Sequence, residues 1–378
     1  MKFKNVCRVI NGRAYKLDEL LEKGKYPVLR VGNFFTNSEM LYSDLELESD
    51  KYCEDDDLLF AWSASFGPKI YRGPKSIYHY HIWKLQVDDS KADKYYLYYW
   101  LLNNVRRMQA GGHGSVMAHI TKQDMENQEI DLPPLQLQKR IAGILKSLDE
   151  KMDNNAQINK NLEEQLIEFY KAWFIGFEFN SGVQPTSWKT QPLNELTSLV
   201  SKGRAPEYSD DSKHLVLNQK CIRNHSIDFN IARRHSPRAN DPSRLSYGDI
   251  LINSTGTGTL GRVAQFWVEK TDVSVDSHIT IVRPIKREFL EYLGLWAVNN
   301  ESIFVTMATG STGQSDLPRE RLENMMVLVP DNQTLSTFSE ITQPMIQMLV
   351  HNRSENIYLQ GIRDSLLPKL LSGEIEIR

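Results

Sequence analysis

The sequence predicts an α+β protein built as an internal duplication: two similar globular domains and two long helices. Two observations predict it. Short strings recur in the same order roughly 190–200 residues apart, and each copy closes on a long helical stretch with a heptad pattern. Composition agrees: the 378-residue chain is 40% hydrophobic and 25% charged, ordinary for a globular protein of two or three domains. A net charge of −3 argues against a wholly basic coat, yet permits a local basic groove, because a field follows charge distribution as well as sum.

The repeat begins with "VINGRAYKLDEL" (9–20) against "VSKGRAPEYSDD" (200–211), which share Gly-Arg-Ala at offset 191. Next come "DDDLLFAWSAS" (55–65) and "YGDILINSTGT" (247–257) at offset 192, in which Asp57 stands opposite Asp249. Then "ITKQDMENQEIDLPPL" (120–135) pairs with "LPRERLENMMVLVPDN" (317–332) at offset 197. Small insertions explain the drift. Within each copy, β-branched and aromatic runs such as "SIYHYHIWKLQV" (76–87) and "HITIVRPI" (278–285) predict strands separated by Gly, Pro, Asn and Asp turns.

After Pro133-Pro134, residues 137–174 predict one helix of about 57 Å at ~1.5 Å per residue. With Ile141 at a, the later a positions are Leu148, Asn155, Leu162 and Phe169, and d holds Leu145, Met152, Asn159, Leu166 and Trp173. The second copy places Phe338, Met345, Asn352, Leu359 and Leu366 at a, with Thr342, Leu349, Asn356, Arg363 and Leu370 at d. Both seams are mostly apolar, and both carry Asn at the central a and d. A buried Asn costs stability but fixes register, since only an aligned partner satisfies its amide. Antiparallel pairing would make the midpoints meet and bring Asn155 near Asn352; Asn159 and Asn356 are the accompanying register residues. The bland alternative is exposed caps of broken helices.

Cys7, Cys53 and Cys221 are isolated and odd in number, so neither a disulfide framework nor a zinc knuckle is supported, and a reduced, cytoplasmic setting is expected. The start "MKFKNVCRVINGR" lacks a signal-peptide run, and no stretch approaches the ~18 apolar residues of a membrane span.

Three strings carry a family resemblance: "LPPLQLQKRIAGILKSLDEKMDNNAQINKNLEEQ" (132–165), "EFYKAWFIGFEF" (168–179) and "IRDSLLPKLLSGEI" (362–375). With the duplicated layout, the whole chain resembles the specificity subunit of Type I restriction–modification systems, a prokaryotic family. The resemblance implies two target recognition domains, each reading one half of a bipartite DNA sequence. It also implies two antiparallel helices related by pseudo-two-fold symmetry, acting as a ruler and docking two methyltransferase subunits, with restriction–translocation subunits joining the complex. The chain itself would do no chemistry and need no cofactor or metal. The implied domains are 1–135 and 181–333, and the implied helical segments are 136–180 and 334–378. One departure stands out. "SWKTQPLNEL" opens copy two, but Met1 falls opposite Pro192, so copy one lacks the Trp and the start of that strand; "SGEIEIR" at the end is a candidate to complete the first domain.

Catalytic readings are weak. The only Pro-Pro is flanked by Leu132 and Leu135, unlike the Asn/Asp-Pro-Pro-aromatic site of a methyltransferase, and there is no G-x-x-x-x-G-K-[ST] phosphate loop. His79 and His81 share a strand face but lack further ligands nearby, so they read as ordinary strand histidines. Gly256, Gly258 and Gly261 spell G-x-G-x-x-G, which raises a dinucleotide-binding enzyme as a rival, but a dinucleotide turn must open a helix and the following residues read as strand. A hairpin loop that approaches DNA is the better reading.

DNA recognition needs cations for phosphates and amide, hydroxyl or guanidinium groups for base edges. Three paired loop sets supply them. The first holds Arg30 and Asn33, against Asn218, Gln219, Lys220 and Arg223. The second holds Ser63, Ser65, Lys69, Tyr71 and Arg72, against Asn253, Ser254, Thr255, Thr257 and Arg262. The third holds His113, Ser115 and His119, against Ser311, Thr312, Gln314 and Ser315. Arg13 and Arg204, from the shared Gly-Arg-Ala, are expected to contact phosphates or support turns. The remaining alternatives are the specificity subunit of a modification-only system and a coiled-coil adaptor without DNA contact.

Overall fold

In the computed structural model, residues 1–377 are described apart from 37, 64, 111–119, 239, 271 and 311–314. The chain divides into two compact units, Met1–Asn154 with Glu355–Arg378, and Asn155–Ser354.

The first unit contains β1 (Cys7–Asn11), β2 (Tyr26–Leu29), β3 (Leu41–Ser43), β4 (Tyr52–Cys53), β5 (Leu58–Ser63), β6 (Ser65–Ile70), β7 (Ser76–Tyr78) and β8 (Ile82–Val87). One sheet has the order β1-β8-β5-β6 and the other β3-β2-β7-β4, with β2 and β7 parallel. The helix Lys94–Ala110 covers the first sheet, and Phe3, Leu58, Phe60, Trp83, Leu97 and Leu101 form the core between them. The run 76–87, expected as one strand, breaks at residues 79–81. Trp62 explains the break: its backbone N–H and its indole N–H donate to the carbonyls of His81 (3.1 Å) and Tyr80 (2.7 Å), drawing the chain into a turn. His79 and His81 therefore lie in a turn and do not share a strand face.

The second unit contains β9 (Lys189–Pro192), β10 (Thr197–Lys202), β11 (Leu215–Leu217), β12 (Ile222–Arg223), β13 (Ser226–Ile227), β14 (Arg233–Arg234), β15 (Ile250–Asn253), β16 (Val263–Gln265), β17 (Val273–Val275), β18 (Ile279–Pro284) and β19 (Met326–Val329). Its main sheet, β10-β18-β15-β16, repeats the order of β1-β8-β5-β6, and β14-β11-β17 repeats β3-β2-β7. The duplication read from short strings is thus a duplication of topology.

Two small devices recur. A Cβ on Gly12 would meet the His79 carbonyl oxygen at 2.3 Å, and one on Gly203 would meet the Asp276 and Val275 carbonyl oxygens at 2.3 Å. The glycine of each Gly-Arg-Ala is therefore required by close backbone approach. Asp57 holds Lys84 Nζ at 2.6 Å, and the fully buried Asp249 takes both Arg283 Nε and Nη2 at 2.7 Å. Each strand β5 or β15 thus starts from a carboxylate anchored to the neighbouring strand.

The opening strands differ between the copies. β9 pairs along β19, and Trp188 Nε1 donates to Asp331 at 3.0 Å. In the first unit Lys2 forms an isolated bridge with Glu129, flanked by Phe3 N–H on the Gln128 carbonyl (2.8 Å) and the Met1 amino group on the Ile130 carbonyl (2.8 Å). The final segment forms no strand among the described residues, and Ile377 packs against a cluster containing Tyr96, Tyr99, Ile141 and Leu367.

The central helix runs Leu135–Phe174, two residues longer than expected, and begins where Gln138 N–H reaches the Pro134 carbonyl at 3.1 Å. The C-terminal helix runs Asn332–Ser372, with Asp331 accepting the Thr334 N–H at 2.9 Å as its cap. In the second unit, residues 155–174 pair antiparallel with 332–354: Phe169 stacks on Phe338 at 5.5 Å, while Glu163 holds the guanidinium of Arg353 at 2.5 Å. In the first unit, Asp149 holds Arg363 at 2.8 Å, and Asn356 Nδ2 donates to the Met152 carbonyl at 3.0 Å. The seam residues Ile141, Leu145, Asn155, Asn159, Leu166, Phe338, Thr342, Leu349, Asn352 and Leu370 are all buried. Asn352 Nδ2 donates to Asn159 Oδ1 at 2.9 Å. An antiparallel seam sets an a position against a d position, which is why the a-position Asn352 meets the d-position Asn159.

Candidate nucleic-acid interface

In the second unit four loops are tied together at one end of the main sheet. Asn253 ends β15, and its Nδ2 donates to the carbonyls of Gln219 (2.9 Å) and Thr259 (3.0 Å). Ser254 N–H donates to the His278 carbonyl, and its own carbonyl accepts Leu317 N–H, both at 2.8 Å. Thr255 Oγ1 meets His278 Nδ1 at 2.5 Å, and Lys202 Nζ grips Asp316 at 2.5 Å. Asn218 Oδ1 caps the turn at Lys220 N–H, 2.8 Å away.

The loop 254–262 depends on its glycines. Gly256, Gly258 and Gly261 have φ of +105°, +72° and +85°, in the region that favours glycine. Strand β16 follows the loop, so no helix N-terminus stands ready for a pyrophosphate. The G-x-G-x-x-G match is a hairpin device.

Two of the expected contact residues in this unit lie beneath the surface. Asn253 and Ser254 are fully buried, and Ser254 shares its hydroxyl with Thr280, so both position the loop from beneath. Thr257, Lys220, Arg223 and Arg204 are exposed. Arg262 Nη2 donates to the Gly258 carbonyl at 2.8 Å, and Gln219, Thr255 and Ser315 are half-buried. Ser311, Thr312 and Gln314 lie outside the described residues, as do His113, Ser115 and His119.

The first unit presents a different surface. The second loop set there is mostly strand: β5 reaches Ser63 and β6 starts at Ser65, a far tighter connection than its counterpart. Tyr71, an expected contact residue, lies in the core, its hydroxyl on the Pro74 carbonyl (2.9 Å) and Ser76 Oγ (2.7 Å). Several cations are engaged internally. Arg13 makes a two-pronged pair with Glu19 (3.0 and 2.7 Å), and the hydrogen bond from Arg13 holds the Glu19 carboxyl down at about 2. Arg72 binds Asp55 (3.1 Å), Asp56 (3.2 Å) and Tyr95 (3.1 Å). Lys69 Nζ donates to the Phe34 carbonyl at 2.8 Å, and Arg30 Nη2 donates to the Glu39 carbonyl at 2.7 Å. Asn33 Nδ2 closes the same loop on the Ser38 carbonyl at 2.7 Å.

Sequence reasoning missed two features. One is the ring cluster of Trp62, His79, Tyr80 and His81 at the turn, with Tyr80 and His81 centroids 3.9 Å apart. Burial, with His81 and Arg30 nearby, pushes His79 down to about 4, so it is neutral near pH 7. The other is the cation run Arg233, Arg234 and Arg238, legible as "ARRHSPR" but lacking a counterpart in copy one. Among the described residues no group of three or more His, Cys, Asp or Glu could hold a metal, and no helix is long and apolar enough to cross a membrane.

Residues 1–164 match the family model described as the Type I restriction modification DNA specificity domain. The chain is 23% identical over 288 residues to the Type I restriction enzyme MjaIX specificity subunit of Methanocaldococcus jannaschii, covering 70% of this chain and 64% of that protein. It is 28% identical over 251 residues to the MjaVIII specificity subunit of the same organism, covering 61% and 55%. The chain thus spans less than two thirds of the length of these relatives. The crystal structure of a Type I restriction-modification system S subunit from M. genitalium shares the fold, with TM-score 0.62 at 17% identity over 98% of this chain and 95% of that one.

Proposed function

We propose that the chain belongs to the family of Type I restriction–modification specificity subunits, to which the match over residues 1–164 and the similar relatives point, and that it is the non-catalytic, sequence-reading subunit of such a complex. It binds double-stranded DNA together with two methyltransferase (modification) subunits, and restriction–translocation subunits join through them. Residues 1–135 and 181–333 are the two target recognition domains, one for each half of a bipartite target. Residues 136–180 and 334–378 set the gap and dock the methyltransferase.

The observation that carries this reading is one strand order built twice with unlike loops. The order β1-β8-β5-β6 recurs as β10-β18-β15-β16, yet the strand ends carry an aromatic turn in one unit and a glycine-rich polar loop in the other. One scaffold bearing two loop chemistries suits two different half-sites. In the second unit Lys220, Arg223, Arg204 and Arg262 suit phosphates, and Thr257 suits a base edge or sugar. The helix pair suits a ruler because its central amides lock the register: Asn159 and Asn352 are bonded and buried. The glycine loop opens no helix, which leaves the dinucleotide-binding alternative without its phosphate site.

Methylome sequencing of a strain with and without the gene tests the proposal. The expected result is a bipartite methylated motif that disappears with the gene. An unchanged methylome in a strain whose methyltransferase genes are intact and expressed would overturn it. A modification-only complex would give the same motif, and DNA cleavage by the purified complex separates the two.

A further inference from the structure

In the second unit, the segment between Gly203 and the end of the β14 region carries a cationic surface outside the three loop sets. Arg204, Arg233, Arg234 and Arg238 are all exposed. Among the described residues none has a carboxylate oxygen within 4.0 Å. Two of them are held in place. The Arg233 guanidinium lies 3.4 Å from the centroid of the Tyr208 ring, itself 47% exposed. Arg234 Nη1 donates to the Asp210 carbonyl at 3.1 Å, and Tyr208 bridges His235 across the strands. Arg204 and Arg238 line one cleft with Glu207, His235, Ser236 and Ser243. His235 is 3% exposed and its Nε2 has no hydrogen-bond partner among the described residues, an unfilled donor or acceptor in the cleft wall. Asp241, in the same cleft, is committed to Ser243 N–H (3.0 Å) and Oγ (2.7 Å).

The corresponding stretch of the first copy has the opposite sign. Residues 204–244 hold eight Lys and Arg against five Asp and Glu, whereas residues 13–51 hold six against eight. In the first copy Arg13, Lys25 and Lys51 are each paired with a carboxylate: Glu19, Glu46 and Asp50. A scaffold built twice has therefore kept its strands and inverted the charge of this face. Arg204 shares its cleft with Glu207 and Asp241, whereas Arg233 and Arg234 are exposed without a carboxylate in salt-bridge range, a charge that favours an anionic partner.

We propose that Arg204, Arg233, Arg234 and Arg238 form an accessory DNA-phosphate site, present in the second domain only, that grips the backbone beside the bases its loops read. The inference rests on the DNA-binding reading above. The guanidinium fork matches phosphate oxygens, and stacking on Tyr208 holds Arg233 in place before DNA arrives. Backbone contacts of this kind add affinity and salt dependence without reading sequence, so the two half-sites are gripped unequally.

The test uses the full chain assembled with its methyltransferase, a DNA carrying the methylome-defined target, and a DNA of equal length without it. Binding is followed by fluorescence anisotropy across a salt series. In R233Q/R234Q/R238Q the slope of log affinity against log salt should fall by about 2–3, since each lost phosphate contact is worth ~0.9. The fall should be the same on both DNAs, leaving their affinity ratio unchanged. R233K/R234K/R238K, which keeps the charge, should retain most of the slope, and this separates charge loss from misfolding. An unchanged slope in the Gln variant, with wild type binding DNA, overturns the phosphate site and leaves the DNA-binding reading intact. A collapsed ratio between the two DNAs also overturns it, by making these residues base readers. Wild-type complex with no DNA affinity overturns the reading beneath it as well.

Discussion

Replacing one of the two mutually bonded seam amides, Asn352→Leu, should destabilise the second unit, whereas replacing both Asn352 and Asn159 should not. In the wild type Asn352 Nδ2 donates to Asn159 Oδ1 at 2.9 Å, and Asn159 Nδ2 donates to the Leu349 carbonyl at 3.3 Å, with both side chains under 9% exposed. Leucine has nearly the shape of asparagine, so the packing change is small. The single variant leaves Asn159 Oδ1 buried without its donor, at a cost of about 1–3 kcal/mol. Asn159→Leu leaves Asn352 Nδ2 in the same position, with a similar expected cost of about 1–3 kcal/mol. The double variant removes both stranded groups and should return to within about 1 kcal/mol of wild type, which makes the coupling energy about 3 kcal/mol when each single costs about 2. Urea unfolding followed by tryptophan fluorescence measures all four corners of the cycle. A double variant as unstable as the sum of the singles would refute the reasoning, because it would show that the amides matter for something other than each other.

Gly203→Ala should destabilise by about 1–3 kcal/mol or more, since the new methyl meets two carbonyl oxygens at 2.3 Å; thermal unfolding checks it, and wild-type stability would contradict the close-approach argument. The Glu19 carboxyl, held at about 2 by Arg13, contributes stability that is present above its ordinary value of 4.5 and lost as pH falls toward 2; carbon-detected NMR titration should show it returning toward 4.5 in Arg13→Gln. Arg262→Ala should weaken DNA binding and lower the salt slope by about 1 if its guanidinium leaves Gly258 for a phosphate, as anisotropy would show. Exchanging residues 310–316 for those of a relative should change one half-site in the methylome and leave the gap alone.

The parts of this protein that were legible in the sequence are those that local chemistry dictates. The heptad of apolar residues with central Asn announced the helix pair, because seam burial repeats on a fixed period. The repeated Gly-Arg-Ala announced the duplication, and the structure gives the glycine its reason in the 2.3 Å approach of a neighbouring strand. What stayed hidden depends on tertiary neighbours. "SIYHYHIWKLQV" has the composition of one strand, and only Trp62, more than a dozen residues earlier, turns the chain at 79–81. Tyr71, Asn253 and Ser254 look like surface polar residues until the sheet closes over them. Arg13 and Arg204 occupy the same motif, yet Glu19 neutralises the first while the second stays exposed, a difference that no alignment of the two short strings displays.

In the proposed function, two domains read two half-sites while the helix pair sets their gap. The most direct test inserts one heptad near residues 150–160 and a matching heptad in the C-terminal helix, lengthening the pair by about 10 Å at ~1.5 Å per residue. Methylome sequencing of the resulting strain should then return both original half-sites separated by a longer gap, on the order of three base pairs at ~3.4 Å each. Altered bases in both half-sites, or an unchanged gap with methylation retained, would contradict it.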